Sequence, residues 1–478
     1  MVQRRNISFF WMIFLVASFL RLIPVIAARD MTIGLDDMFQ YDMLARSLAA
    51  GEGFRWYGED DLELVERYLP VEFIKGEYDP RGVLTSFRAP GYPIFLSLIY
   101  RVSALEDRFL IARLVQAFLM ASIAPLTWLL GRRLFPENQK VGKVAAWFVT
   151  FYPYLLVYPL ALATEVIFIP LVLACILFIL KAADSHRWQD YLLAGALLGY
   201  AALTRSVVLA LFPFILLWVW FLVRDQRGVL LLLVSVLIFV IPWTVRNTRL
   251  HGTFTSVENN MGYTVYMGYH PETEGKFQYP QSLELMHFLD DAERNRVGIE
   301  KTIGFIRDDP GRVPYLVLRK LGYFFSLERK ALTYFYSNNF LGYIPQAWLI
   351  LIFCIFMLPF TVLMIFTVPG LVVQEWTKPR ILVGIVLFVY FAPHLLLLAE
   401  PRFHLTIVPL LAVFAANAWL DRKKIIADLF RQSSKWKLAL TVVLIGLLFI
   451  NWGTELWLDA EQLKLLFSPE GNRLYLNY

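Results

Sequence analysis

Thr164-Glu-Val-Ile-Phe-Ile-Pro-Leu-Val-Leu-Ala-Cys-Ile-Leu-Phe-Ile-Leu-Lys181 decides the class of fold. Between Glu165 and Lys181 no side chain carries a charge. Crossing a bilayer takes roughly 20 mostly apolar residues in a helix, and this run supplies them almost unbroken. Similar runs extend from it in both directions, at 8–28, 109–130, 142–161, 190–204, 206–223 and 228–244, then at 343–370, 380–398, 404–420 and 438–457. The sum is about eleven spans. Across 478 residues, 58% are hydrophobic and 18% charged, with a mean hydropathy of +0.55. A soluble chain carries about 45–50% and about 25%, so a soluble enzyme, a disordered chain and a collagen-like chain are excluded. Long runs also exclude a membrane β-barrel, whose strands are short and alternating. The 39 Phe, 23 Tyr and 14 Trp suit an all-α polytopic membrane protein with aromatic rings at its interfaces.

The charges orient the chain. Lys and Arg number 45 against 39 Asp and Glu, a net +6. Much of that excess lies in short loops, around Arg132, Arg133, Lys140 and Lys143, then Lys181 and Arg187, Arg224 and Arg227, Lys378 and Arg380, and Arg422 to Lys437. With strict alternation all of these fall on the side of Met1, which the positive-inside rule makes cytoplasmic. No nucleic-acid partner is expected from a charge so placed. The first run contains Arg21 and has only a weak small-residue cleavage pattern, so it reads as an uncleaved span in a plasma-membrane protein. Cys175 and Cys354 lie inside apolar runs and read as packed thiols. The expected organisation is an N-terminal transmembrane module, 1–246, with a first extracytoplasmic loop at 29–107. A second large extracytoplasmic loop follows at 247–342, and then C-terminal helices and a short outward tail over 343–478.

Loops of this size are usually functional. In the first, Asp36 and Asp37 precede a predicted short helix, Met38–Ala50, and Tyr41 shares a face with Asp37. A carboxylate here can accept a proton from an acceptor hydroxyl; equally, Asp36 can cap the helix and Asp37 favour its positive end. Further short helices are expected at Pro93–Val102 and Asp290–Asp308. Arg88, before a Pro-Gly turn, stands at headgroup depth, where an arginine can grip a phosphate or simply snorkel. Glu165 is a lone charge at an outer turn, either functional or a solvated turn carboxylate. Arg205, Arg246 with Asn247, and Arg402 with His404 are assigned to the same outer face. Positive charge is unusual there, and a phosphate site is the natural reading of the set. Tyr263 and Tyr266 could line a sugar pocket or pack at the interface. No phosphate-binding glycine loop, dinucleotide fingerprint, nucleophile elbow or His/Cys metal spacing occurs, and a divalent cation is left open.

Asp36-Asp37 with Tyr41 and Ala45, Arg88-Ala-Pro-Gly-Tyr-Pro93, Thr164-Glu165, Gly199 with Leu203-Thr-Arg205, Pro242-Trp-Thr-Val-Arg-Asn247 and Arg402-Phe-His404 together resemble the GT-C class of integral-membrane glycosyltransferases. The branch is that of protein O-mannosyltransferases and the bacterial aminoarabinose transferases of lipid A, family 39-like, and the likeness runs over about residues 8–420. It implies a GT-C-like bundle of transmembrane helices with two large extracytoplasmic loops that carry short helices. It implies transfer of a sugar from a polyprenyl-phosphate-linked donor to a lipid, glycan or protein hydroxyl on the outer face. The resemblance makes Asp37 the base, with Asp36 second. Arg88, Arg205, Arg246, Arg402 and His404 would hold the donor phosphate; Glu165, Tyr41, Asn247, Tyr263 and Tyr266 would orient acceptor, sugar or metal. Many relatives have Asp-Glu where this chain has Asp36-Asp37. The alternatives are a glycan polymerase or ligase sharing the lipid-linked donor, and a transporter or flippase for it. The chain shows neither matching halves nor acidic pairs at mid-membrane, as a transporter would.

Overall fold

The structure is a computed structural model that describes residues 2–34, 36–65, 79–329 and 344–468. The expected boundary at 342/343 and residues 469–478 of the predicted tail lie outside the described residues. Each apolar run is helical where described. Among the described residues eight helices are long and apolar enough to cross a membrane, from Ile7–Ala27 to Lys435–Leu458. A ninth span is made if the bent pair Lys140–Phe151 and Pro153–Leu160 counts as one. The expected eleven are therefore not all full-length spans. The run at 190–204 forms Trp188–Thr204, of 17 residues, and the run at 404–420 forms Val408–Leu420, of 13. At about 1.5 Å per residue these fall short of a hydrocarbon core of roughly 30 Å. Apolar run length counts chain, not helix, and a 3₁₀ turn at Pro401–Thr406 takes up the start of the second run.

The 59° bend in the pair has a physical cause. Pro153 has no N–H to give the carbonyl four residues back, that of Val149. Arg21 supplies the missing donor: its Nη2 reaches the Val149 carbonyl at 3.2 Å and its Nη1 the Ala17 carbonyl at 3.2 Å. The one charge in the first span is thus a cap for a broken neighbour.

The bundle has two chemically different ends. At one end the short basic loops interlock. Arg133 donates to the Leu180 carbonyl at 3.1 Å, His186 Nδ1 meets Asp225 at 2.8 Å and Arg380 meets Glu137 at 2.5 Å. At the other end the two long polar loops pack on each other. Thr85 Oγ1 donates to Asp291 at 2.7 Å, and the Asn259 N–H to the Ser86 carbonyl at 2.8 Å. Both short helices open on an aspartate cap, the first as expected. Asp36 accepts from the Met38 N–H at 2.8 Å to open Asp37–Ala50, and Asp290 accepts from Ala292 at 2.9 Å to open Asp291–Asp308. One element departs from an all-helical reading: Arg55–Trp56 pairs antiparallel with Val83–Leu84, two residues a side. Pairs this short leave no alternation in the sequence.

Close helix packing rests on small residues. A Cβ on Gly142 would sit 2.5 Å from the Trp128 carbonyl of the neighbouring helix Ile123–Leu134, whereas one on Gly446 would meet nothing within 4 Å. Gly142→Leu should therefore cost about 1–3 kcal/mol and lower the thermal unfolding temperature of the solubilised protein. Gly446→Ala, in an open helical position, should leave that temperature unchanged or raise it slightly.

Candidate functional site

The helix Asp37–Ala50 begins at the end of the bundle where the long loops meet, and its first residue is the centre of a charge cluster. Arg88 donates to one oxygen of Asp37 and Arg402 to the other, the second at 2.5 Å. Gln40, one turn along the same helix, takes the Arg88 Nε at 2.8 Å. The Arg88 guanidinium also lies 5.6 Å over the Tyr41 ring and 5.2 Å over Phe87. A second ion pair stands beside the first. Arg205 donates to Glu165 at 2.5 Å and to Thr164 Oγ1 at 3.3 Å, with its guanidinium 5.0 Å over Phe403. The two pairs share a field: the charge of Arg402 acts on Glu165, and those of Asp37, Arg88, Glu165 and Arg205 all act on Tyr41.

Burial would raise the Asp37 carboxyl, but the Arg88 and Arg402 guanidiniums outweigh it and hold the group below the usual carboxylate range. Asp36 is pushed up to about 6, first by the protein crowded around it and then by the negative charge of Asp37. Tyr41 is pushed up to about 12, chiefly by burial. In this state Asp37 is an anchored anion with both oxygens engaged, and the arginines are neutralised in place. The Arg402 side chain keeps 39% of its surface and Asp37 28%, against 3% for Glu165, so the Asp37 side of the cluster is the open one.

Not every expected residue joins it. Arg246 donates to the Thr85 carbonyl at 2.6 Å and to Asn247 at 2.9 Å, fixing the strand that leads to Arg88. Asn247 is buried and holds the Ser256 and Val257 carbonyls at 2.8 and 3.1 Å. Tyr263 packs edge-on to Phe87, 5.4 Å away, within the field of Arg88. Tyr266 turns into the second loop and bonds Glu284. His404 is fully buried and faces the Phe324 carbonyl and Glu328, each at 2.8 Å. Two residues that sequence reasoning passed over take part. Gln40 was legible in principle, being three residues from Asp37 on one helix face. Glu258, which bonds Ser206 and accepts from Asn260 at 3.1 Å, exerts its charge on Arg88 and had no signal beyond lying beside Asn259.

A chain of contacts nearby has the connectivity of a hydrolase triad: Ser86 Oγ to His251 Nε2 at 2.7 Å, and His251 Nδ1 to Asp290 at 2.9 Å. Ser86 is fully buried and its own N–H donates to Asp291 at 2.6 Å, so the chain straps the two loops together and offers no accessible nucleophile. Among the described residues no three His, Cys, Asp or Glu side chains converge as metal ligands.

Residues 88–245 match the family of dolichyl-phosphate-mannose-protein mannosyltransferases. The oligosaccharyltransferase of Archaeoglobus fulgidus, solved in complex with Zn and sulfate, superposes with a TM-score of 0.50 at 14% identity. That alignment covers 98% of this chain and 57% of the archaeal one. The chain has a GT-C glycosyltransferase fold. ArnT from Cupriavidus metallidurans, solved with bound undecaprenyl phosphate, aligns at 15% identity with a TM-score of 0.47, over 96% of this chain and 64% of its own. The chain thus spans 57–64% of the length of these GT-C structures. No curated protein matches it. The family match begins at Arg88, the residue that clamps Asp37.

Asp37→Asn would leave Arg88 and Arg402 facing each other without their shared carboxylate. For a half-buried pair this should cost about 1–3 kcal/mol, and Arg402→Gln in the same background should recover part of it. The pH sign follows from the depressed carboxyl. Its contribution is complete above the unfolded value of about 3.9 and is lost as pH falls through the lower folded value. The gap in unfolding temperature between wild type and Asp37→Asn should be constant above about pH 7, widen as protonation of Asp36 near 6 relieves its repulsion with Asp37 in the wild type, and close below about pH 4.

Proposed function

We propose that this GT-C chain is a membrane glycosyltransferase that moves a sugar from a polyprenyl-phosphate-linked donor to an acceptor hydroxyl on the extracytoplasmic side. The observation that carries the reading is the Asp37 carboxylate held between Arg88 and Arg402 at the end of the bundle where both long loops meet. Interlocked basic loops at the opposite end support a cytoplasmic location for that end, and hence an outward-facing site and a cytoplasmic N-terminus.

The chemistry follows from charge competition. A donor phosphate entering beside Arg88, Arg402 and Arg205 draws the guanidiniums from their carboxylates, because phosphate accepts the same bidentate hydrogen bonds. The arginines then stabilise the negative charge that grows on the phosphate as the anomeric bond breaks. Asp37, released from two cations, regains basicity and takes the proton of the attacking hydroxyl. Glu165 keeps Arg205 oriented, Tyr41 and Tyr263 border the sugar, and Arg246 and Asn247 hold the backbone that presents Arg88. The occupant of the outer loops is a lipid, glycan or protein acceptor, and the tail of the donor lies against the spans.

Purified protein incubated with labelled undecaprenyl-phosphate sugars and a lipid or peptide acceptor should transfer label to the acceptor; movement of the lipid across vesicles without transfer would instead mark a transporter. Asp37→Asn should reduce turnover by about 10²–10⁴-fold with the helical bundle intact. Asp36→Asn retains an equally good helix cap and should keep turnover within about tenfold. Loss in the second variant and not in the first would move the base to Asp36.

A further inference from the structure

Arg402 belongs to a short 3₁₀ turn, Pro401–Thr406. Successive residues of such a turn point about 120° apart, and each side chain here has a separate destination. Arg402 meets Asp37 and Phe403 lies under Arg205. Thr406 Oγ1 meets the Tyr390 hydroxyl at 3.0 Å. His404 turns into the bundle, where its ring stacks on Phe360 with centroids 4.1 Å apart. Its Nδ1 faces the Phe324 carbonyl at 2.8 Å and so must carry the hydrogen. Its Nε2 shares a proton with Glu328 at 2.8 Å, and the same Glu328 oxygen accepts from the Tyr152 hydroxyl at 2.7 Å. His404 and Glu328 have no exposed surface, and the second oxygen of Glu328 has no hydrogen-bond partner among the described residues. Burial raises the Glu328 carboxyl, while His404 and Tyr152 pull it back.

The segment that carries Glu328 is itself anchored to the last span, Lys435–Leu458. Asn451 donates to the Gly322 carbonyl at 3.0 Å and Trp452 to that of Phe325 at 2.8 Å. The Leu327 N–H and Arg329 Nε both reach Glu455, at 2.9 and 2.7 Å. A buried polar network of this kind is costly if half satisfied and rigid if satisfied. It joins the break at Tyr152, the last span and the turn bearing Arg402.

We propose that the Tyr152–Glu328–His404 network positions Arg402 for the donor phosphate. His404, Glu328 and Tyr152 are positioning residues, with no contact to the donor. The inference rests on the reading of Arg402 as a phosphate ligand and adds a residue set that acts through it.

The test is a double-mutant cycle on the full-length protein in nanodiscs, with undecaprenyl phosphate as the titrated probe. Arg402→Ala should weaken binding by about tenfold or more. Glu328→Ala should weaken it by a similar factor, and Glu328→Gln, whose amide keeps either the bond to His404 or that to Tyr152, should restore part of the loss. In the Arg402→Ala background, Glu328→Ala should add no further loss, since a positioning residue has nothing left to position. Tyr152→Phe, which removes one hydroxyl, is the variant to read if Glu328→Ala does not fold; its loss of about threefold should also vanish in the Arg402→Ala background. Additive losses, or wild-type affinity in folded Glu328→Ala or Tyr152→Phe, overturn the proposal while leaving the donor reading intact. Failure of the wild-type chain to bind the probe overturns both.

Discussion

A guanidinium inside an apolar bundle must be matched by an oxygen, and this constraint organises the end of the bundle where the two long loops meet. Burying an unpaired charge is far more costly than losing one hydrogen bond. The chain meets the demand in two ways. Several arginines away from the site bond backbone carbonyls: Arg21 those of Val149 and Ala17, Arg246 that of Thr85, and Arg113 those of Leu160 and Thr32 at 3.0 and 3.1 Å. The site arginines meet carboxylates, Arg88 and Arg402 Asp37 and Arg205 Glu165, as Arg294, Arg329 and Arg380 do elsewhere. At a ligand site the kind of partner matters. A backbone carbonyl is fixed in place and neutral, so it makes a permanent strut. A carboxylate is an anion that a second anion can displace, so it makes a latch.

That difference also resolves the tension around Asp37. At a helix N-terminus and between two cations, a carboxylate is a poor base. The same geometry becomes a gated base if the cations are the donor's own ligands, because occupancy by phosphate removes the very charges that depress it. Reactivity then appears only when the donor is seated, which protects the acceptor pocket from wasted proton transfers in its absence.

Much of this was legible in the residues. The apolar runs, the basic short loops and the cap at Asp36 are local signals, and the helices expected at 38–50, 93–102 and 290–308 stand within two residues, at 37–50, 91–100 and 291–308. Asp37, Arg88, Arg205, Arg402 and Glu165 were all recognisable as charges stranded at apolar boundaries. What sequence could not supply was direction. Arg402 and His404 are two residues apart and share one turn, yet one reaches the carboxylate and the other points into the core. Arg246 and Arg88 read alike, but only Arg88 has a carboxylate within reach. The count of eleven spans is not confirmed for a related reason: hydropathy measures the apolar length of chain, and neither the break at Pro153 nor the 3₁₀ turn at 401–406 changes hydropathy.

The position of His404 therefore matters more than its apparent failure to join the site. An arginine that exchanges a carboxylate for a phosphate, as proposed for Arg402, cannot hold its own backbone; the turn beneath it must be fixed by something that stays in place during the exchange. A histidine with both ring nitrogens engaged and a ring stacked on Phe360 has that property, since every rotation breaks a buried hydrogen bond. Mobile charge at the surface of the site and immobile polarity one turn behind it are two halves of one arrangement. The second half is what allows the first to exchange partners without the loop following it.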